Sequence, residues 1–263
     1  EIMSIARSFE EALQKGIRSL EIDIDDLRHT AWDDLTATKL LGLIRNPNDE
    51  RLWQIAAAFR KKISLEEVTF ATGMSTFFLT KIKNLVEEEK NIQEQEWNDE
   101  NLRRWKQLGF SNKTMAALKN ISIREVRKIL HSRNIRPVIK TVDTCSAEFA
   151  ALTPYYYQTY DEFDEFVPST KKRVMILGSG PIRIGQGIEF DYASVHALIA
   201  AKAEGYETIM VNNNPETCST DFTFSDRLYF EPLHEDDVYE LLEREKPDGV
   251  LLQFGGQTAL NIS

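Results

Sequence analysis

Four glycines crowd the turn that follows a short apolar run in this chain. The run is 173–177, and the glycines are Gly178, Gly180, Gly185 and Gly187. A glycine-rich turn between a buried strand and a helix is a common place for phosphate groups in parallel α/β proteins. The dinucleotide fingerprint, however, needs a glycine where this chain has Arg183, and a P-loop needs Lys and Ser or Thr after its last glycine. Close packing of backbone against backbone is therefore an equally good explanation.

Charged side chains near this turn could bind or pass an anion. Arg183 could meet a phosphate or a carboxylate with two parallel hydrogen bonds. Glu189 and Glu216 are the carboxylates of interest, although surface or helix-capping roles would explain both equally well. The two cysteines and four histidines lack the spacing of a metal site or a catalytic triad. We therefore predict neither a metal site nor an acid–base catalyst among these residues.

The elements that must position these groups alternate cleanly in the last third of the chain. Apolar runs predict strands at 173–178, 207–213, 227–231 and 249–254, and helical patterns lie at 190–204 and 235–246. Ligands of open α/β sheets bind at the carboxyl ends of the strands. The glycine turn, the stretch 212–217 and the glycines at 255–256 should therefore converge at one edge of a parallel sheet.

Four ordered segments resemble the large subunit of carbamoyl phosphate synthase. They are GSGPIRIGQGIEFDY at 178–192, NNNPETCSTD at 212–221, DRLYFE at 226–231 and GGQT at 255–258. Upstream, VDTC at 142–145 and TPY at 153–155 are similar to the connector that leads into the family's second catalytic half. The chain is thereby identified as a member of this family.

The resemblance implies a domain plan and a site. Residues 1–21 would be the last helix of the preceding catalytic half, 22–168 a helical oligomerisation domain with an extended connector, and 169–263 a truncated pre-ATP-grasp subdomain. The expected fold is thus an all-helical domain followed by a partial, Rossmann-like doubly wound parallel sheet. In this family, the positions of Gly187, Glu189 and Glu216 line the interior passage that brings carbamate to the second phosphorylation site.

The resemblance also implies an activity for the intact parent protein. That protein makes carbamoyl phosphate from bicarbonate, glutamine-derived ammonia and two ATP with Mg or Mn, for arginine or pyrimidine biosynthesis. Its partners would be a glutaminase small subunit and further large subunits. The chain starts at Glu1 and stops at Ser263 after a glycine turn, so we expect an excised piece that is inactive alone and binds no nucleotide.

An internal repeat marks the helical part. Seven positions recur at an offset of 47: Ser64, Val68, Met74, Ser75, Leu79, Lys81 and Ile82 return as Ser111, Met115, Ile121, Ser122, Val126, Lys128 and Ile129. Each copy predicts a helix–turn–helix hairpin, with capping boxes at Ser64–Glu67 and Ser122–Glu125. Residues 1–21 predict a helix whose apolar stripe, with no nearby partner in sequence, could be left exposed.

Composition narrows the choice among functions. A net charge of −10 and a pI near 5.1 disfavour a nucleic-acid-binding protein, although helix–turn–helix hairpins alone would allow one. No apolar run approaches the length of a membrane span, and two cysteines give no disulfide framework, so we expect a cytoplasmic protein. A DNA-reading regulator with a ligand-sensing α/β domain and a dinucleotide or nucleotide-sugar enzyme remain as rival interpretations.

Overall fold

The computed structural model describes residues 1–263 and contains two compact units. The helices are α1 (Phe9–Ser19), α2 (Thr30–Asp33), α3 (Ala37–Leu43), α4 (Arg51–Arg60), α5 (Leu65–Thr72), α6 (Thr76–Glu94), α7 (Asp99–Gln107), α8 (Asn112–Lys119), α9 (Ile123–Ser132), α10 (Glu189–Ala203), α11 (Glu235–Glu245) and α12 (Gly256–Asn261). The strands are β1 (Val138–Thr141), β2 (Tyr155–Thr159), β3 (Arg173–Leu177), β4 (Glu207–Asn212), β5 (Arg227–Phe230) and β6 (Gly249–Leu251). The helical unit takes residues 8–17 and 23–135, and the sheet unit takes residues 1–7, 18–22 and 136–263.

The repeat forms two equivalent helical hairpins, as predicted. Both predicted capping boxes are present, at the starts of α5 and α9, where serine and glutamate side chains satisfy each other's backbone N–H groups. The turns also correspond, because Gly73 and Asn120, which stand at the same place in the two copies, both end their helices in the left-handed conformation. Glycine and asparagine are the residues that adopt this conformation most readily. The two hairpins therefore share a capping box at the start of one helix and a left-handed residue at the end of another.

The first helix is shorter than predicted. The pattern over 1–21 suggested one continuous helix, but α1 begins only at Phe9. Before it, the Met3 N–H donates to the Asn213 carbonyl at 2.7 Å, and the Met3 side chain packs against the apolar cluster on one face of the sheet. Pairing with the sheet unit thus replaces the first helical turns.

The apolar stripe of this helix is not left exposed either. Ile17 is buried, and Leu20, which is 37% exposed, lies beyond the last helical residue. The polar side is buried too, since the Gln14 side-chain amide donates to the Leu108 carbonyl at 2.8 Å within the helical unit. The prediction of a bare stripe is therefore wrong, because α1 finds partners that are distant in sequence.

One six-stranded sheet organises the second unit. The strand order is β1-β2-β5-β4-β3-β6, with only the β1–β2 pair antiparallel. The four strands predicted from apolar runs are all present, ending one to three residues earlier than expected because their last residues turn into loops. The predicted helices α10 and α11 are also present. The prediction of a helical part followed by a mostly parallel α/β sheet is confirmed.

Both faces of the sheet are buried, as a doubly wound fold requires. Met175 and Leu177 point into one apolar cluster, which includes residues of α11. Ile176, between them, points into the opposite cluster, which includes Leu198 of α10. Successive residues of a strand face opposite sides, so helices on both faces explain why β3 is apolar at consecutive positions.

The connector differs from the sequence prediction. Instead of an extended link, it supplies β1 and β2, and β2 pairs in parallel with β5, Tyr155 lying opposite Leu228. The Tyr156 and Tyr229 rings, 5.5 Å apart between centroids, reinforce this pairing. The compact sheet unit therefore includes the connector from Arg136 onward, in addition to the residues after 169.

A buried charge network closes the amino-terminal edge of the sheet. Arg173 and Arg227, the first residues of β3 and β5, donate to the two carboxylate oxygens of Glu245 at 2.7 and 3.1 Å. The Glu245 side chain is fully buried and also accepts from the Tyr229 hydroxyl. Burial, followed by the neighbouring Glu245 charge, raises the pKa of Tyr229 well above its usual value. The two arginines thus pair closely with Glu245 and lie 3.9 and 3.6 Å from a second acid, Glu207.

None of the helices combines the length and the apolar character needed to cross a membrane.

Candidate functional site

Three polar loops meet at the carboxyl-terminal edge of the sheet, as predicted. Asn212, the last residue of β4, joins two of them. Its side-chain oxygen accepts from the Gly180 N–H at 3.1 Å, and its amide nitrogen donates to the Thr217 and Ser219 hydroxyls at 3.4 and 3.3 Å. The Asn212 side chain is buried, so these hydrogen bonds fix the loop after β3 against the loop after β4.

At two positions of this edge, only glycine fits because neighbouring atoms leave no room for a Cβ. A Cβ on Gly178 would lie 2.5 Å from the Asn212 side chain. One on Gly255 would lie 2.5 Å from the carbonyl oxygens of Leu177 and Gly178. Neither glycine adopts the left-handed conformation. Close approach of backbone, the alternative considered from the sequence, therefore explains Gly255, whereas Gly178 leaves room for the buried Asn212 side chain.

Gly187 and Glu189 come together at the start of α10. A Cβ on Gly187 would lie 2.2 to 2.6 Å from the atoms of the Glu189 carboxylate. The φ of Gly187 is outside the left-handed region, and both residues are exposed. The nearest atoms that a Cβ would meet thus belong to one side chain, and no left-handed conformation requires glycine here. What the missing side chain preserves is the space in front of the Glu189 carboxylate.

Glu216 is exposed, and its nearest charged partner is another acid. The side-chain carboxyl of Glu1 hydrogen-bonds to the Glu216 carboxyl, and this bond, followed by the repulsion of the two charges, raises the pKa of Glu216. Sequence reasoning missed Glu1, because only the fold places the start of the chain beside the loop after β4.

Arg183 has an internal partner. Its guanidinium Nη2 donates to the Glu21 carboxylate at 3.0 Å and to the Glu21 carbonyl oxygen at 3.1 Å. The Thr258 hydroxyl donates to the same carboxylate at 2.7 Å. Burial raises the pKa of the Glu21 carboxyl, and the hydrogen bond from Thr258 and the charge of Arg183 only partly oppose it. Nothing in the sequence pattern around Glu21 indicates this role.

Asp191 is a further residue that sequence reasoning missed. From the first turn of α10, its carboxylate accepts from the Cys218 and Ser219 N–H groups at 2.8 and 3.0 Å. These N–H groups start the short 3₁₀ helix Cys218–Thr220. A buried carboxylate thus caps the loop that carries Glu216, and its place two residues after Glu189 was the only available signal.

No group of three or more His, Cys, Asp or Glu side chains converges in a metal-binding arrangement. The residues described here therefore do not fit the Mg or Mn expected of the intact parent.

Comparison with known families decides the identity of the helical part. The family model of the carbamoyl-phosphate synthetase large chain, oligomerisation domain, matches residues 1–134, about half of the chain. The chain belongs to this family. The family model of the carbamoyl phosphate synthase preATP-grasp domain matches residues 170–263, which include β3 to β6 and the three loops.

Curated carbamoyl phosphate synthase large chains are similar to this chain over its whole length. The carbamoyl phosphate synthase large chain of Clostridium perfringens is 49% identical over 267 residues, and that of Clostridium beijerinckii is 50% identical over 270. The large chain of Methanobrevibacter smithii is 49% identical over 266 residues. Each alignment covers 100% of this chain but only 24 or 25% of the relative. The chain thus spans about a quarter of the length of these carbamoyl phosphate synthase large chains.

Proposed function

We propose that this chain serves as the central segment of a carbamoyl phosphate synthase large chain and forms one wall of a passage for carbamate. The parent would make carbamoyl phosphate from bicarbonate, glutamine-derived ammonia and two ATP, with a glutaminase small subunit as partner. Its product would serve arginine or pyrimidine biosynthesis in the cytoplasm. The nucleotide and its Mg or Mn would be held by other parts of the longer protein, so this segment alone should be inactive.

The observation that carries the passage proposal is the space at Gly187. Gly187 has no left-handed φ, and the nearest atoms that a Cβ would meet are those of the Glu189 carboxylate, so a side chain would fill the volume before that carboxylate. That volume lies beside a loop that buried hydrogen bonds of Asn212 attach to the sheet. A wall of a passage needs this combination of a fixed loop and an open surface.

The carboxylates have a role consistent with transit. Glu189 and Glu216 are acidic side chains, so they repel an anionic intermediate rather than bind it. A polar wall that does not hold the intermediate lets it move on, while a closed route protects it from bulk water. We therefore propose that Gly187, Glu189 and Glu216 form a lining rather than a catalytic site.

A substitution series at Gly187 in a full-length large chain tests this function. Replacement by Ala, Leu and Phe should lower the carbamoyl phosphate formed per glutamine hydrolysed in steps that follow side-chain volume. Glutamine hydrolysis and bicarbonate-dependent ATP use should stay near wild type, because neither reaction occurs at this loop. The melting temperature should also change little, since the atoms displaced belong to an exposed side chain.

Gly185→Ala is the matched control. Gly185 lies two residues away at φ +85° with nothing within 4 Å, so a side chain there strains the backbone without filling the space before Glu189. If Gly185→Ala uncouples the enzyme as strongly as Gly187→Phe, loop strain explains the loss. If Gly187→Ala damages output as much as Gly187→Phe and also lowers the melting temperature, the passage proposal fails.

We also propose that the helical unit mediates self-association. The family of that unit is named for oligomerisation, and the unit exposes apolar side chains, with Phe70 86% and Phe77 56% accessible. Monomers rarely keep several large apolar groups in water without a partner.

A further inference from the structure

We propose that Glu21 is a positioning residue that holds the glycine-rich loop in the shape that keeps the space at Gly187 open. Glu21 lies outside every segment that carried the family resemblance. The inference rests on the passage function proposed above, which it extends to a residue distant in sequence.

The contacts of Glu21 join two separate elements of the sheet unit. One carboxylate oxygen accepts from Arg183 in the loop after β3 at 3.0 Å and from the Thr258 hydroxyl in α12 at 2.7 Å. Arg183 also donates to the Glu21 carbonyl oxygen at 3.1 Å. The loop is thereby held to α12 through a single residue.

Within 181–188, these contacts are the only hydrogen bonds to other segments, and the Gly180 N–H just before this stretch donates to Asn212. Between 181 and 188, the remaining hydrogen bonds either close a turn between Arg183 and Gln186 or continue from Ile188 into α10. The apolar side chains nearest Gly187 offer no anchor, since Ile184 is fully exposed and Ile188 is 71% exposed, whereas Ile182, at the start of the loop, is 37% exposed. Without Glu21, no hydrogen bond from outside would hold the stretch 181–187 that leads to Gly187.

Gly180 and Glu21, on the two sides of this contact, both have left-handed backbone conformations. Gly180 has a φ of +68°, and a Cβ there would lie 2.2 Å from the Glu21 carboxylate. Glu21 itself adopts a φ of +53°, a left-handed conformation that is uncommon for residues other than glycine. An unfavourable conformation that is retained at one residue points to a role for its side chain.

Global stabilisation is the alternative role, and it predicts a different result. Burial raises the pKa of Glu21 above its unfolded value, so its contribution to stability is present below that value and is lost as the pH rises through the folded-state pKa. At pH 7 the charged carboxylate therefore lowers global stability. Glu21→Gln should leave the melting temperature unchanged or raise it, while it frees the loop.

Hydrogen–deuterium exchange of the 263-residue chain at pH 7 tests the positioning directly. In Glu21→Gln and in Arg183→Gln, amides 182–188 should exchange roughly two- to fivefold faster, the range of a partly exposed ion pair. The double variant should add little to the larger single effect, because both changes remove one contact. Glu243→Gln is the control, since Glu243 forms an exposed 3.9 Å pair with Arg136 in the same unit and does not touch the loop.

Coupling assays in a full-length large chain test the consequence. Both variants should lower the carbamoyl phosphate formed per glutamine hydrolysed, and Arg183→Lys, which keeps the charge, should restore part of the loss. Unchanged exchange at 182–188 overturns the positioning role whatever the Gly187 series gives. Faster exchange with normal coupling overturns the link between loop and passage. A Gly187 series without effect refutes the passage itself, so the two failures are distinguishable.

Discussion

Gly255→Ala is the substitution for which the structure gives the sharpest expectation. The new Cβ would lie 2.5 Å from two carbonyl oxygens, those of Leu177 and Gly178, and 2.6 Å from the Cβ of Ala259. Ordinary contacts of this kind are 3.4 Å or longer, so the backbone of α12 would have to move by about 1 Å away from β3. Overpacking of this kind costs about 1–3 kcal/mol.

Two other glycines of the sheet unit separate crowding from other effects. Gly249 has neither a neighbour within 4 Å nor a left-handed φ, so Gly249→Ala should be neutral or stabilise by about 0.4–1 kcal/mol. Gly205 has no neighbour within 4 Å but a φ of +83°, so Gly205→Ala should cost about 1–2 kcal/mol through conformation alone. Of these three substitutions, only Gly255→Ala combines an ordinary conformation with a collision.

Thermal unfolding followed by circular dichroism measures these differences. A loss of about 2 kcal/mol should lower the melting temperature by about 4–8 °C in a protein of this size. Amide exchange in β3 should rise in Gly255→Ala, which places the damage next to Leu177. A melting temperature equal to that of Gly249→Ala would refute the reasoning, because it would mean that the backbone at this edge yields freely.

The remaining predictions concern the buried charges and the state of association. Glu245→Gln should lower the free energy of unfolding in urea by about 3–5 kcal/mol, because it leaves two buried arginines without the carboxylate that they contact most closely. Glu207→Gln is the comparison, since Glu207 lies 3.6 and 3.9 Å from the same arginines. A loss for Glu245→Gln no larger than that for Glu207→Gln would contradict this prediction. The full chain, which retains residues 8–17 of the helical unit, should sediment as a species larger than a monomer at micromolar concentration. A monomer at every concentration would contradict the proposed self-association.

Sequence patterns predicted those elements that are defined by their own residues. The strands β3 to β5 are short runs buried on both faces, and β6 is a partly buried apolar run; such runs can be recognised without knowledge of their partners. The capping boxes at Ser64 and Ser122 are equally local, since each needs only a residue three positions away. The polar edge followed from the strands, because parallel strands bring their carboxyl ends together.

Features that depend on distant partners were missed. The strand β2 contains three tyrosines in a stretch that follows a loop, and only its pairing with β5 makes it a strand. The extended start of the chain depends on one hydrogen bond from Met3 to Asn213. Likewise, Glu21 and Asp191 became visible as anchors only when the fold brought them to backbone groups and side chains of other loops.

The strand order has a consequence for how the two units acquire their structure. Neighbours in the sheet are far apart in sequence, as Val174 with Gly249 and Tyr155 with Leu228 show, whereas the helical hairpins pair adjacent segments. Closing long loops before contacts form slows folding, and local contacts speed it. During synthesis the hairpins of 64–132 can form soon after they emerge, but β3 cannot complete its pairing until β6 has been made. The hairpins should thus gain protection first, and the edge that carries Gly187 and Glu216 should be among the last parts to become ordered.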